Sequence, residues 1–219
     1  MRRTLYIIFA SVIISSCNSE NRLDGTWIGA YSYSPNNTTS SLPIRQIITF
    51  NNCQYTADGF KYDFDKRKEL GKFKISSKKL ILNEKLKYQK EIESINSDSI
   101  VFKGEMGSMN QVYKKVNPLL KENRNSKIDL IGKVFLITSD SYKDTIYFKN
   151  DTVLIKKSDI TREPGNRWER IKHNGFDLIF MELNVPFIIQ KQKDSIIYAT
   201  EYYKEKAEFK LKELNKNVW

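Results

Sequence analysis

The chain of 219 residues carries a formal net charge of +11, with 40% apolar and 12% aromatic residues. That composition supports packed cores and excludes global disorder, and the length suits one large domain or two small ones. With two cysteines and one histidine, a zinc site built from several Cys and His ligands is excluded.

The chain opens with Met1-Arg2-Arg3, a positive start, followed by a largely apolar run from Leu5 to Ile14. A helix that crosses a bilayer needs about 20 apolar residues, so this segment reads as the leader of an exported protein. Its last residues, Ile14-Ser15-Ser16-Cys17, resemble the lipobox of bacterial lipoproteins. The resemblance implies a signal peptide over 1–16, removed in the mature chain, and acyl chains such as palmitate on Cys17. Residues 17–22 would then form a short tether, and the membrane would be a partner through that anchor. Asn18 follows the cysteine where many inner-membrane lipoproteins carry aspartate, so the expected location is the outer membrane of a cell envelope. Several acyl chains hold stably where one alone is reversible.

Removing 1–16 leaves 203 residues and a charge of +9. The lysines are scattered among apolar residues, as in Lys72, Lys74, Lys78 and Lys79, which is the pattern of solvated strand faces. A basic chain of this kind attracts anionic membrane surfaces. An envelope setting argues against a nucleic-acid partner. With Cys17 acylated, Cys53 has no intrachain disulfide partner; Asn52-Cys53-Gln54-Tyr55 reads as strand, with a buried, inert thiol.

From Leu23 onward the pattern is β. Strands are expected over Leu23–Ser34, Ile44–Phe50, Cys53–Thr56, Leu70–Ile75, Leu80–Leu82, Tyr88–Ile95, Ser99–Lys103 and Gln111–Val116. Asp58-Gly59 reads as a two-residue hairpin turn. Phe60 to Asp65 alternates aromatic and charged residues with the period of a half-buried strand. Residues 117–128 have linker composition, separating a domain at 23–116 from one at 129–214. The second half repeats the first: Ile48-Thr49-Phe50 matches Ile146-Tyr147-Phe148 at an offset of 98. At the same offset Phe73 meets Ile171, Leu80 meets Leu178 and Leu82 meets Phe180, and at 96 Ile100 meets Ile196 and Tyr113 meets Phe209. Thr200–Leu214, although rich in Glu and Lys, is kept as strand because Tyr113 occupies the matching place. His173-Asn174-Gly175 reads as a hairpin turn. The expected fold is all-β, two tandem small antiparallel meanders closed as barrels or stacked as sandwiches.

Gly25-Thr26-Trp27 resembles the Gly-x-Trp signature of lipocalins, and the stretch it opens resembles the small lipocalin-like domains of Bacteroidota lipoproteins. In the second half Gly132-Lys133-Val134-Phe135 departs from it, with Val in place of Trp and Phe one position later. The resemblance implies non-covalent binding of a small hydrophobic molecule, with Trp27, Phe60, Tyr62 and Phe64 as candidate contacts. Ninety-residue units, however, have short strands that fill rather than enclose space. Binding of an envelope protein, as in inhibitor or immunity lipoproteins, or a structural envelope role, is the alternative.

Chemistry-bearing patterns are sparse. Glu91-Ile92-Glu93 and Asp63-Phe64-Asp65 place paired carboxylates on strand faces among lysines, which reads as solvated surface rather than an acid–base pair. Phosphate-cradling glycine loops and nucleophile elbows are missing from the sequence. No catalytic residues, metal ligands or cofactors are expected; a histidine-based triad would have to use His173.

Overall fold

The computed structural model describes residues 20–63, 68–83, 88–104, 109–121, 128–161, 165–215 and 217. Cys17 and Phe64 lie outside them. The first unit contains β1 (Gly25–Ser34), β2 (Asn37–Pro43), β3 (Gln46–Asn51), β4 (Gln54–Gly59), β5 (Lys68–Ser76), β6 (Lys79–Leu82), β7 (Tyr88–Ile95), β8 (Ser99–Phe102) and β9 (Asn110–Lys115). The second contains β10 (Val134–Thr138), β11 (Lys143–Phe148), β12 (Val153–Lys156), β13 (Asn166–His173), β14 (Phe176–Met181), β15 (Phe187–Lys193), β16 (Ile196–Tyr202) and β17 (Lys206–Leu214). Each unit is an eight-stranded antiparallel barrel: β1 closes on β9 in the first, and β10 on β17 in the second. The protein is all-β, two barrels in tandem. Thr200–Leu214 is strand, the end of β16 and all of β17.

Alternation decides the faces. Barrel 1 points Trp27, Ile48, Phe50, Phe73, Leu80, Ile100, Phe102 and Tyr113 inward. Barrel 2 points Phe135, Ile146, Phe148, Trp168, Ile179, Ile197 and Phe209 inward. β2 is additional: it pairs with the far half of β1 and forms the outer edge of the sheet. Gly29 permits this, because a Cβ there would lie 2.4 Å from the Ile44 side chain where β2 gives way to β3.

Each barrel has one end built from tight turns and one from longer connections. The tight turns of barrel 1 include Asn52-Cys53 (φ 47° and 62°) and Ser77-Lys78 (φ 48° and 63°), and that of barrel 2 Asn174-Gly175 (φ 47° and 88°). Both residues in the left-handed region is the geometry that matches hairpin twist. The expected turn at His173-Asn174-Gly175 therefore forms, whereas Cys53 belongs to a turn, half-buried, and not to a strand. Two further expectations are corrected. Asp58-Gly59 ends β4 instead of turning, because the Asp58 carboxylate is held by the second barrel and the Phe60 amide still donates to the Arg45 carbonyl at 3.0 Å. The chain turns after it, over Lys61 to Asp63, so the described part of the expected strand, Phe60 to Asp63, is a turn; the Asp63 amide bonds the Phe60 carbonyl and Arg45 grips the Asp63 carboxylate.

The repeat is real in architecture, but its register differs from the sequence alignment in part. Ile48 and Ile146 do occupy equivalent inward positions. At the hairpins, Phe73 pairs with Leu82 and Arg170 with Ile179, an offset of 97. Phe73 thus corresponds to Arg170 and Leu80 to Asp177, not to Ile171 and Leu178. Ile100 likewise corresponds to Ile197, the residue that faces inward, not to Ile196. At the barrel entrance, Trp27 pairs with Ile48 and Phe135 with Ile146, so Phe135 stands where Trp27 does.

The barrels pack side by side on the outward faces of β1, β3 and β4 from one and β13 to β16 from the other. Ile28, Ile47, Phe60 and Val116 meet Ile171, Phe176, Leu178, Phe180, Ile188 and Tyr202 in a single buried cluster. β14 is consequently buried on both faces along its whole length. The contacts Asn174–Thr56, His173–Asp58 and Glu169–Lys61 run along β4 in order, so the tight-turn ends of the two barrels point the same way. An apolar interface of this kind removes the freedom that adjacent domains otherwise have.

Candidate functional site

Three places concentrate polar chemistry: the seam between the barrels and the two barrel mouths, meaning the ends opposite the tight turns.

At the seam, β4 and the end of β13 bring Asp58, His173 and Thr49 into line. Asp58 Oδ2 lies 2.7 Å from His173 Nδ1, and Thr49 Oγ1 2.9 Å from Nε2. Thr49 in turn meets Thr26 Oγ1 at 2.8 Å. A carboxylate fixes the Nδ1–H tautomer, so Nε2 accepts from Thr49. Burial pushes the imidazole below its ordinary range; the Asp58 bond and charge oppose this, and Lys68 adds to it. Carboxylate, imidazole and hydroxyl stand in the order of a hydrolytic triad. Here the His173 side chain is 1% exposed, and both its ring nitrogens and the Thr49 hydroxyl are bonded to neighbours, which satisfies buried polar groups. The glutamate on the same face, Glu169, accepts the Lys61 amide at 2.7 Å.

In the mouth of barrel 1, Lys90 points inward and donates to Gln111 Oε1 at 2.5 Å, with its ammonium 5.3 and 5.7 Å from the centres of the Phe102 and Tyr113 rings. Burial lowers its pKa to about 8, with Glu69 pulling the other way. The Tyr113 hydroxyl donates to Gln46 Oε1 at 2.6 Å. In the mouth of barrel 2, Asp144 accepts from the Tyr142 hydroxyl at 3.2 Å and from the amides of Thr145 and Ser158. Glu201, on the inward face of β16, is pushed by burial up to about 7, with Lys156 opposing; burial and Asp144 raise Tyr142 to about 12. Among the described residues no three His, Cys, Asp or Glu side chains are grouped to hold a metal ion.

Beneath the second mouth the interior is packed. Its void, lined by Ile137, Phe148, Met181, Phe187, Ile189 and Leu211 among others, measures about 10 Å³. That is the space of one water, where a small-molecule site needs roughly 300 Å³ or more. Inside barrel 1 the rings of Trp27, Phe50, Phe73, Phe102 and Tyr113 belong to one buried cluster.

Of the described residues that sequence reasoning nominated for a ligand, Phe60 and Tyr62 meet, with ring centres 5.1 Å apart, while Trp27 lies apart from them. Trp27 is buried at the tight-turn end, where its indole N–H donates to the Leu23 carbonyl at 2.6 Å and Lys115 lies over the ring. Phe60 leaves barrel 1 for the seam, with its centre 6.2 Å from that of Phe180. Tyr62 is 38% exposed beneath the Arg167 guanidinium, 4.5 Å from the ring centre. Sequence reasoning missed Lys90, Asp144 and Glu201; inward-facing charge at strand ends was the available signal, and it reads equally as solvated surface.

The surface feature that stands out is the ribbon of β1 and β2. It carries Tyr31, Tyr33 and Leu42, the last 56% exposed, and leans on Tyr203 of barrel 2 through a ring contact at 5.6 Å and a bond from Ser41. In comparisons with family models, curated proteins and solved structures, the chain matches none.

Proposed function

We propose that the chain is a lipid-anchored, non-catalytic binding module of a bacterial cell envelope, held in the outer membrane by acyl chains on Cys17, and that it engages a protein partner through its surface. The observation that carries the binding mode is the packed interior, with a void of only about 10 Å³ in barrel 2. A carrier of hydrophobic molecules needs empty volume, and these barrels spend theirs on aromatic side chains. The β1–β2 ribbon supports the protein-binding form: β2 is an open sheet edge with the exposed Leu42, backed by Tyr31 and Tyr33 on β1, the chemistry by which strands add to strands.

Native mass spectrometry of the full-length protein, isolated from the envelope of its host, tests the reading. The expected mass is that of the acylated chain from Cys17 onward, without cargo. A reproducible extra mass lost on organic extraction overturns the packed-barrel reading in favour of a small-molecule carrier. Cross-linking from Leu42 is expected to capture an envelope protein, and Leu42→Asp to abolish the capture.

A further inference from the structure

The described chain begins at Glu20, in a 3-10 turn (Glu20–Leu23) that leads straight into β1 at the tight-turn end of barrel 1. Cys17 is three residues upstream, and three residues span at most about 11 Å. An anchor on Cys17 therefore turns this rim of the barrel toward the lipid surface, with the tight-turn end of barrel 2 on the same side.

The rim is basic. The β5–β6 hairpin turns there, and its outward positions and tip include Lys72, Lys74, Lys78 and Lys79, all exposed, beside Ser76, Ser77 and the half-buried Ile81. Lys114, half-buried on β9, lies at the same end of the barrel, paired with Ser99. Among the described residues the acidic ones at this end include Asp24, just before β1, Asp98 in the adjoining turn, and Glu91, which pairs across from Lys79 while lying 3.5 Å from Lys103. At the mouths, by contrast, charges of both signs alternate, with Arg45 bound to Asp63 and Lys206 to Glu208. The inward face of the same hairpin is apolar, and its lysines stand on the outer face.

We propose that this rim docks on an anionic lipid surface, with Lys72, Lys74, Lys78 and Lys79 as the contact. The inference rests on the anchoring reading: the tether delivers the rim to within about a Debye length of the headgroups, some 8 Å at physiological salt, and the lysines supply the attraction. Barrel mouths and the β1–β2 ribbon then face away from the bilayer.

The test uses the full acylated protein, reconstituted in vesicles of phosphatidylethanolamine with phosphatidylglycerol and, separately, of phosphatidylcholine. A membrane-impermeant amine reagent is applied and each lysine is followed by peptide mass spectrometry. In the anionic vesicles the four rim lysines are expected to react about fivefold more slowly than in detergent, the factor corresponding to ~1 kcal/mol per basic residue at such a surface. Lys204 and Lys206, at the opposite end, are expected to react unchanged. High salt, phosphatidylcholine, or Lys78→Glu with Lys79→Glu should remove the protection of Lys72 and Lys74. Equal reactivity of rim and mouth lysines on a chain that floats with the vesicles overturns the docking and leaves the anchor standing. A chain without acyl groups on Cys17 that does not float overturns the anchoring reading, and the docking falls with it.

Discussion

The β5–β6 hairpin of barrel 1 and the β13–β14 hairpin of barrel 2 share one turn geometry and one register, yet their faces are filled in opposite ways. Inside barrel 1 the equivalent positions hold Phe73 and Leu80; inside barrel 2 they hold Arg170 and Asp177. Arg170 Nε donates to Asp177 Oδ1 at 2.8 Å, a second pair of atoms completes the fork, and the guanidinium also reaches the Ile128 carbonyl. Outside, barrel 1 shows Lys74, Ser76 and Lys79, while barrel 2 shows Ile171, His173 and Phe176. The hairpin is thus a neutral frame. Whether its outer face is wet or docked depends on what the neighbouring barrel needs, and the inner face tolerates rings or an ion pair. The two indoles make the same point. Trp27 on β1 and Trp168 on β13 each donate to a backbone carbonyl at the tight-turn end, Leu23 and Asn150. The plug is kept while the strand that supplies it changes.

The contrast can be tested sharply. Trp27→Ala and Trp168→Ala are each expected to cost about 3–5 kcal/mol in denaturant unfolding, since both remove a buried ring. A large loss at one and a small loss at the other would break the equivalence of the two plugs. Arg170→Ala should cost about 3–5 kcal/mol by stranding Asp177. Arg170→Phe with Asp177→Leu, which installs the barrel 1 pair, is expected to be neutral or stabilising by about 1–4 kcal/mol. Leu178→Ala at the seam should cost about 2–5 kcal/mol, and its counterpart on the outer face of barrel 1, the half-buried Ile81, much less when changed to Ala.

The smallest effects are in pH. His173 has a folded pKa below its unfolded value of 6.5, so the unfolded chain binds the proton more readily. Stability is therefore full above about pH 6.5 and falls as pH drops below it; His173→Gln should flatten that limb. Glu201 runs the other way. Its folded pKa is raised from 4.5 to about 7, so its contribution is full below pH 4.5 and is lost as pH rises toward 7. Glu201→Gln should remove that slope. Urea titrations at a series of pH values read both.

The strand pattern was legible because alternation is a local property: β3, its repeat β11, β5 and β6 face as their residues predict. The seam was hidden for the same reason. Matching apolar residue to apolar residue slides β13–β14 by one position, and a slip of one exchanges the two faces of a strand. The run Phe176-Asp177-Leu178-Ile179-Phe180-Met181 did carry the signal, since a strand buried on both sides loses its alternation. Phe60 and Tyr62 misled in turn: their spacing suits a strand, but Phe60 is claimed by the other barrel and the Arg45–Asp63 grip bends the chain. Nothing in the sequence around Asp58 foretells a partner 115 residues away.

That separation shapes how the molecule is made. Chains emerge from synthesis N-terminus first, and domains tend to fold as they appear. Barrel 1 can close on itself through β1 and β9, but the outward Ile28, Ile47 and Phe60 then wait, uncovered, until β13 to β16 have been delivered and folded. During that interval the nascent protein carries an adhesive flank that the finished one lacks. A chaperone that shields this flank until the second barrel has folded would govern yield without touching the stability of the mature fold.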